Sequence, residues 1–97
     1  MIVFVSYARR DTDQQALVGV YERVQSLGTP YVDDLHDHQG CRRETVLGAL
    51  RDAGAFVAVM SEHYLRTEWT RMEFDTAVSR GIPIYLMRPE MEYERIR

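Results

Sequence analysis

Ala55-Phe56-Val57-Ala58-Val59-Met60-Ser61 is a charge-free apolar run closed by a serine, and a short loop leads from it into Tyr64-Leu65-Arg66-Thr67-Glu68-Trp69-Thr70-Arg71-Met72-Glu73. Without polar alternation, such a run reads as a strand over 55–60 buried on both faces, as in a parallel sheet. Beyond the loop the chain takes a helical period over 69–79, and Gly81 is its natural stop. On a helix turning about 100° per residue, Trp69, Glu73 and Ala77 fall within roughly 80° of one another. A carboxylate therefore shares the stripe of a large aromatic. Surface helices normally keep their acids opposite their apolar residues, so Glu73 belongs either at the edge of the core or facing a cavity. On this segment alone, a solvated glutamate at the core's edge is the plainer reading.

Outward from this stretch the pattern repeats. Residues 2–6 form a second apolar, β-branched run and predict a central strand. The polar turn over 7–13 offers Asp11 or Asp13 as a cap for a helix over 14–27, whose Leu17, Val20, Tyr21 and Val24 recur at three and four. Gly28 stops it, and residues 29–33 give a short strand whose Pro30 suits a sheet edge. After the polar loop Asp34-Leu35-His36-Asp37-His38-Gln39-Gly40-Cys41, a helix over 43–52 presents Val46, Leu47 and Leu50 on one face, and Gly54 divides it from the strand over 55–60. A fourth strand is expected over 82–87, followed by a charged tail over 88–97 that could form one short helix after Pro89.

Strands alternating with helices in this way predict an α/β fold with a parallel sheet, right-handed crossovers and helices on both faces, in one domain spanning 1–97. If the first strand is central and the order is 2-1-3-4, the topological switch lies between strands one and three. Ligands of open α/β sheets bind at the carboxyl ends beside such a switch. Ser6, Tyr7 and Arg9 leave one of these ends, Ser61 leaves the other, and the helix reached from Ser61 carries Glu73.

Composition narrows the function classes. Over 97 residues, 45% hydrophobic and 28% charged is ordinary globular usage, and the net charge of −3 with no basic run argues against nucleic acid as a partner. Cys41 stands alone, the opening apolar residues are too few for a signal peptide, and no run approaches a membrane span. The chain reads as soluble and cytoplasmic, with no membrane partner.

Five segments, in order, resemble the Toll/interleukin-1 receptor (TIR) domain family. Phe4-Val5-Ser6-Tyr7-Ala8-Arg9-Arg10-Asp11 is similar to its first box, and the segment from Asp33 and Asp34 to Gly40 to its BB loop. Val59-Met60-Ser61 with Tyr64 resembles the third strand and its exit, and Trp69-Thr70-Arg71-Met72-Glu73 the Trp-x-x-x-Glu signature of the third helix. Gly81-Ile82-Pro83-Ile84 is like the entry to the fourth strand. The resemblance covers residues 2–87 and implies a flavodoxin-like three-layer fold in a minimal form that stops before the usual fifth strand. A fourth strand left as an edge is a liability, so the tail or a partner chain is expected to cover it. Thr67 stands where many members have serine.

The resemblance implies two functions. Some TIR domains in immune and defence signalling cleave NAD+ to nicotinamide and ADP-ribose or a cyclic relative, through the glutamate matching Glu73; others assemble with further TIR domains and catalyse nothing. On the first, NAD+ is the substrate and no cofactor is needed. Glu73 is catalytic, and Ser6, Tyr7, Arg9, Ser61, Thr67 and Trp69 surround the substrate, with plain core packing the competing role for Trp69. On the second, the loop Asp34, Leu35, His36, Asp37, His38, Gln39, Gly40 meets a neighbouring TIR domain, most simply a second copy of this chain. A third possibility is another N-glycosidic enzyme, of the nucleoside deoxyribosyltransferase kind. Asp33, Asp34, His36, Asp37 and His38 are metal-ligand types, but without further spaced ligands they read as a solvated acidic loop. Cys41 beside His38 lacks a third orienting group, and the six glycines are scattered rather than gathered into a phosphate loop. A phosphoreceiver would need an aspartate where Met60-Ser61 ends the third strand.

Overall fold

A computed structural model describes residues 1–32, 42–88 and 94–96, without the side chains of 42 and 43. Four parallel strands lie in the order β2-β1-β3-β4: β1 (Ile2–Ser6), β2 (Thr29–Val32), β3 (Ala55–Val59) and β4 (Ile84–Met87). Three helices accompany them, α1 (Gln14–Val24), α2 (Arg42–Asp52) and α3 (Glu68–Arg80). β2 is an edge strand, which accommodates Pro30.

Both central strands are buried on both faces, as their unbroken apolar sequence requires. Alternate residues Val3, Val5, Val57 and Val59 pack against Leu17, Val20 and Val24 of α1. Phe4, Phe56 and Ala58 point the other way, toward Val46 and Leu50 of α2 and Ala77 of α3. An aromatic row binds this second layer, with Phe4 stacked on Tyr31 and on Phe56 at 5.7 and 5.8 Å, and Phe74 set edge-on to Phe56 at 6.0 Å. Burial of each large apolar side chain contributes about 1.5–3 kcal/mol.

The helices end where local chemistry completes them. Asp13 caps α1 by accepting from the Ala16 N–H at 2.7 Å. α1 stops at Val24 rather than running to residue 27, because the Ser26 hydroxyl takes the Arg23 carbonyl and the chain turns to bring Thr29 N–H onto the Met1 carbonyl. A Cβ at Gly28 would lie 2.6 Å from that carbonyl oxygen, so the turn needs glycine. α3 ends on Gly81 in the left-handed region, with φ at 70°. Arg80, on its last turn, donates to the carbonyls of Leu50 and Ala53 and ties the end of α2 to α3.

The tail departs from expectation. Its described part forms a two-residue strand, β5 (Glu94–Arg95), antiparallel to β4, while residues 89–93, where the short helix after Pro89 is expected to begin, lie outside the described residues. Ile96 N–H extends the pairing to the Ile84 carbonyl. The edge that the order 2-1-3-4 would leave on β4 is thus covered by the chain itself. Two predicted strand ends also shift, with β3 closing at Val59 and β4 beginning at Ile84; the expected end of β2 at Asp33 lies outside the described residues.

Candidate functional site at the strand exits

Ser6 closes β1 and Ser61 follows β3, its neighbour in the sheet, so both hydroxyls stand at the carboxyl ends beside the switch. Each donates to a carboxylate at 2.7 Å, Ser6 to Glu73 Oε1 and Ser61 to Asp11 Oδ2.

The first pair is deeply buried. Ser6 is 1% exposed and Glu73 4%. Tyr64, fully buried under the loop that leads into α3, donates its hydroxyl to Ser6 Oγ at 2.8 Å, giving a chain Tyr64 → Ser6 → Glu73. Burial drives the Tyr64 phenol well above its ordinary range, the nearby Glu73 charge adds to this, and the Ser6 hydrogen bond partly offsets it. Tyr64 is therefore a donor throughout the working pH range. Its backbone is fixed as well, because the Thr70 hydroxyl from the first turn of α3 reaches the Tyr64 carbonyl.

The buried residues of α3 are Thr70, Glu73 and Ala77. Glu73 thus belongs to the core-facing stripe, but the stripe centres between Thr70 and Ala77 and leaves Trp69 at its margin. Trp69 is 37% exposed, which removes plain core packing as its role. With Thr67, Glu68 and Met72 it lines an open groove of about 610 Å³ at the start of α3. A smaller recess of about 230 Å³ lies beside it, between Glu68, Arg71, Met72 and Asp75. Glu73, one turn beyond Trp69, lines neither.

The second pair is a clasp between the two strand exits. Asp11 accepts from the Ser61 hydroxyl and from His63 N–H on Oδ2, while His63 Nδ1 lies 2.6 Å from Oδ1. These contacts, with the Ser61 hydroxyl foremost, pull the Asp11 carboxyl down to about 2. Serine, histidine and aspartate meet here, but the serine donates to the aspartate and not to the imidazole, so they do not form a nucleophile and base. Thr67 caps no N–H; its hydroxyl goes to the His63 carbonyl at 3.0 Å.

Among the predicted site residues, Ser6 and Glu73 come into direct contact. Tyr7 is buried against the α1 layer, Arg9 is exposed on a 3-10 turn at Arg9–Asp11, and Ser61 is engaged by the clasp. The loop residues 34–40, Cys41 and the His/Asp cluster lie outside the described residues. Among the described residues no group of three or more metal-ligating side chains occurs, and no helix is long and apolar enough to cross a membrane. The sequence marks Asp11 as an alternative helix cap and as the end of the first box, and nothing in it singles out His63. Tyr64 was noted only for its place after the third strand. The one visible signal was Ser-x-His-Tyr leaving an apolar strand, which has no periodicity to mark it.

No curated protein matches the chain. A comparison with protein-family models matches the TIR domain over residues 3–95, the span that holds the sheet, the Ser6–Glu73 contact and the strand-exit clasp. With that match over nearly its whole length, this chain belongs to the TIR domain family.

Proposed function

We propose that this TIR domain is an NAD+ nucleosidase that cleaves the bond between nicotinamide and ribose, with Glu73 as the catalytic carboxylate. One observation carries the reading. A glutamate 4% exposed is held at 2.7 Å by a buried serine, in a domain small enough that an idle buried anion would be a poor use of its stability. A buried carboxylate beside the carboxyl ends of the central strands, at the switch point, is where an open α/β sheet places its chemistry.

The chemistry supplies one. The glycosidic nitrogen of NAD+ belongs to a cationic pyridinium, so when the C1′–N bond breaks the electron pair leaves with nicotinamide, which departs neutral without a general acid. The positive charge that develops at C1′ and the ring oxygen is what Glu73 stabilises. Water then adds at C1′ and loses its proton, giving ADP-ribose; a nucleophile within the same molecule gives a cyclic product instead. Trp69 and Thr67, along the open groove one turn earlier, are suited to receive part of the substrate. Defence signalling is the setting that goes with this activity.

The near-closure of Glu73 favours a site completed by association with further TIR domains, through residues 34–40 or another surface. Activity per chain is then expected to fall on dilution, in step with loss of assembly. Constant activity per chain while light scattering shows the assembly dissolving would contradict this. The same burial favours the second reading, a scaffold that binds other TIR domains without catalysis. Nicotinamide release from NAD+ by the concentrated protein, compared between the native chain and Glu73→Gln, separates the two. Release that disappears in the variant supports the nucleosidase, and release unchanged by the variant removes Glu73 from the chemistry.

A further inference from the structure

We infer that Ser6 and Tyr64 act together as positioning residues for Glu73, a hydroxyl relay that fixes the orientation of its carboxylate and holds it as the anion; this rests on the nucleosidase reading for its kinetic consequence but not for its physical one.

The relay has a direction set by its chemistry. Tyr64 donates to Ser6 Oγ at 2.8 Å, which leaves the single Ser6 proton to be donated onward to Glu73 Oε1 at 2.7 Å. Were Tyr64 absent, the serine hydroxyl could rotate. With Tyr64 in place it points at the carboxylate. A hydroxyl bonds more strongly to a carboxylate oxygen than to the carbonyl of a neutral acid, so the relay favours the charged form. With Oε1 held by Ser6, one oxygen of the carboxylate is placed before any substrate arrives, which is the preorganisation that electrostatic catalysis requires.

Three elements converge on this. Ser6 comes from the end of β1, Tyr64 from the loop after β3, and Glu73 from the second turn of α3. Their sequence separations of 67 and 58 residues exclude a local turn or cap as the reason for the contacts. The loop bearing Tyr64 is fixed in turn by Thr70, three residues before Glu73 on the same helix, so donor and acceptor are referred to one rigid element. Tyr64 is one of the largest fully buried side chains, and its ring already serves the core through its contacts with the α2 and α3 layer. Packing needs the ring; only the relay needs the hydroxyl.

Ser6→Ala and Tyr64→Phe separate these roles, since each removes one oxygen and leaves the surrounding packing nearly unchanged. Selective carbon labelling of glutamate in the full chain, with the Glu73 signal identified by its absence in Glu73→Gln, follows the carboxyl titration by NMR without any need for activity. The carboxyl is expected to titrate at higher pH in Tyr64→Phe than in the native chain, and higher again in Ser6→Ala. Nicotinamide release measured alongside is expected to fall in kcat about tenfold to hundredfold for Ser6→Ala and about threefold to tenfold for Tyr64→Phe, with little change in KM. Ser6→Cys, a weaker donor at the same place, is expected to fall between native and Ser6→Ala in both measurements. Shifted titrations without nicotinamide release from the native chain would uphold the relay and overturn the nucleosidase. Release from the native chain with titration, kcat and KM unmoved in both variants would overturn the relay and leave the nucleosidase standing. Should Ser6→Ala fail to fold, Tyr64→Phe alone decides between these outcomes.

Discussion

Two serines leave adjacent strands of one sheet, and each gives its proton to a carboxylate at 2.7 Å, yet the two pairs behave differently. At Asp11 the acid lies near solvent and gathers a hydroxyl, a backbone N–H and an imidazole from the neighbouring exit loop. Its charge is easily held there, and the carboxyl falls to about 2. At Glu73 the acid is nearly closed off, and the contacts reaching it through Ser6 and Tyr64 are neutral hydroxyls. Identical bond lengths therefore conceal opposite economies. The Asp11 clasp joins two loops near solvent, whereas the chain from Tyr64 through Ser6 reaches a carboxylate set in the core.

Substitutions should divide along this line. The largest effect on stability is expected at Tyr64, where Tyr64→Ala leaves a cavity in the α2 and α3 layer and costs about 3–5 kcal/mol, a large share of what a domain this size has. Tyr64→Phe keeps the ring and should cost about 1–2 kcal/mol, both read from urea denaturation. Equal losses for the two would mean the hydroxyl, not the ring, holds the core.

A smaller effect, with a distinct pH signature, is expected at Asp11. Its carboxyl is depressed in the folded chain, so the clasp's contribution is fully present above the unfolded value of 3.8 and disappears as pH falls through about 2. Asp11→Asn should therefore be less stable than the native chain at pH 6, and the difference should close between about pH 4 and 2. A gap that persists unchanged at pH 2 would show that the loops are held by something other than the charge. The smallest stability change is expected at Glu73 itself. Glu73→Gln keeps the side chain's volume and an acceptor for Ser6, so its Tm should stay within about 4 °C of the native value. A marked fall in Tm would make the anion structural and weaken the case for chemistry there.

How much of this the sequence disclosed follows from what kind of signal each feature leaves. The strands over 2–6 and 55–60 are uninterrupted apolar runs, and the helix over 69–79 has a period and a glycine stop, so sheet order and switch point could be read from the chain alone. Glu73 was legible because an acid inside an apolar stripe breaks a pattern. Trp69 was misplaced because 100° steps locate a residue on the stripe but not the stripe's centre, which the contact of Thr70 with Tyr64 helps to set. Charged residues over 88–97 concealed β5, since a two-residue edge strand makes its bonds through the backbone and needs no apolar side chains. The Asp11–Ser61–His63 clasp joins residues 50 or more positions apart with no periodicity between them, and only the folded sheet brings them together.

The most direct test of the central claim is nicotinamide release from NAD+ by the native protein and by Glu73→Gln, at a concentration high enough for self-association and with the fold of both checked by circular dichroism. The account predicts release from the native chain and a loss of at least about a hundredfold in the variant. Equal release from two folded proteins would contradict it, because the relay would then be holding a charge that the reaction does not use.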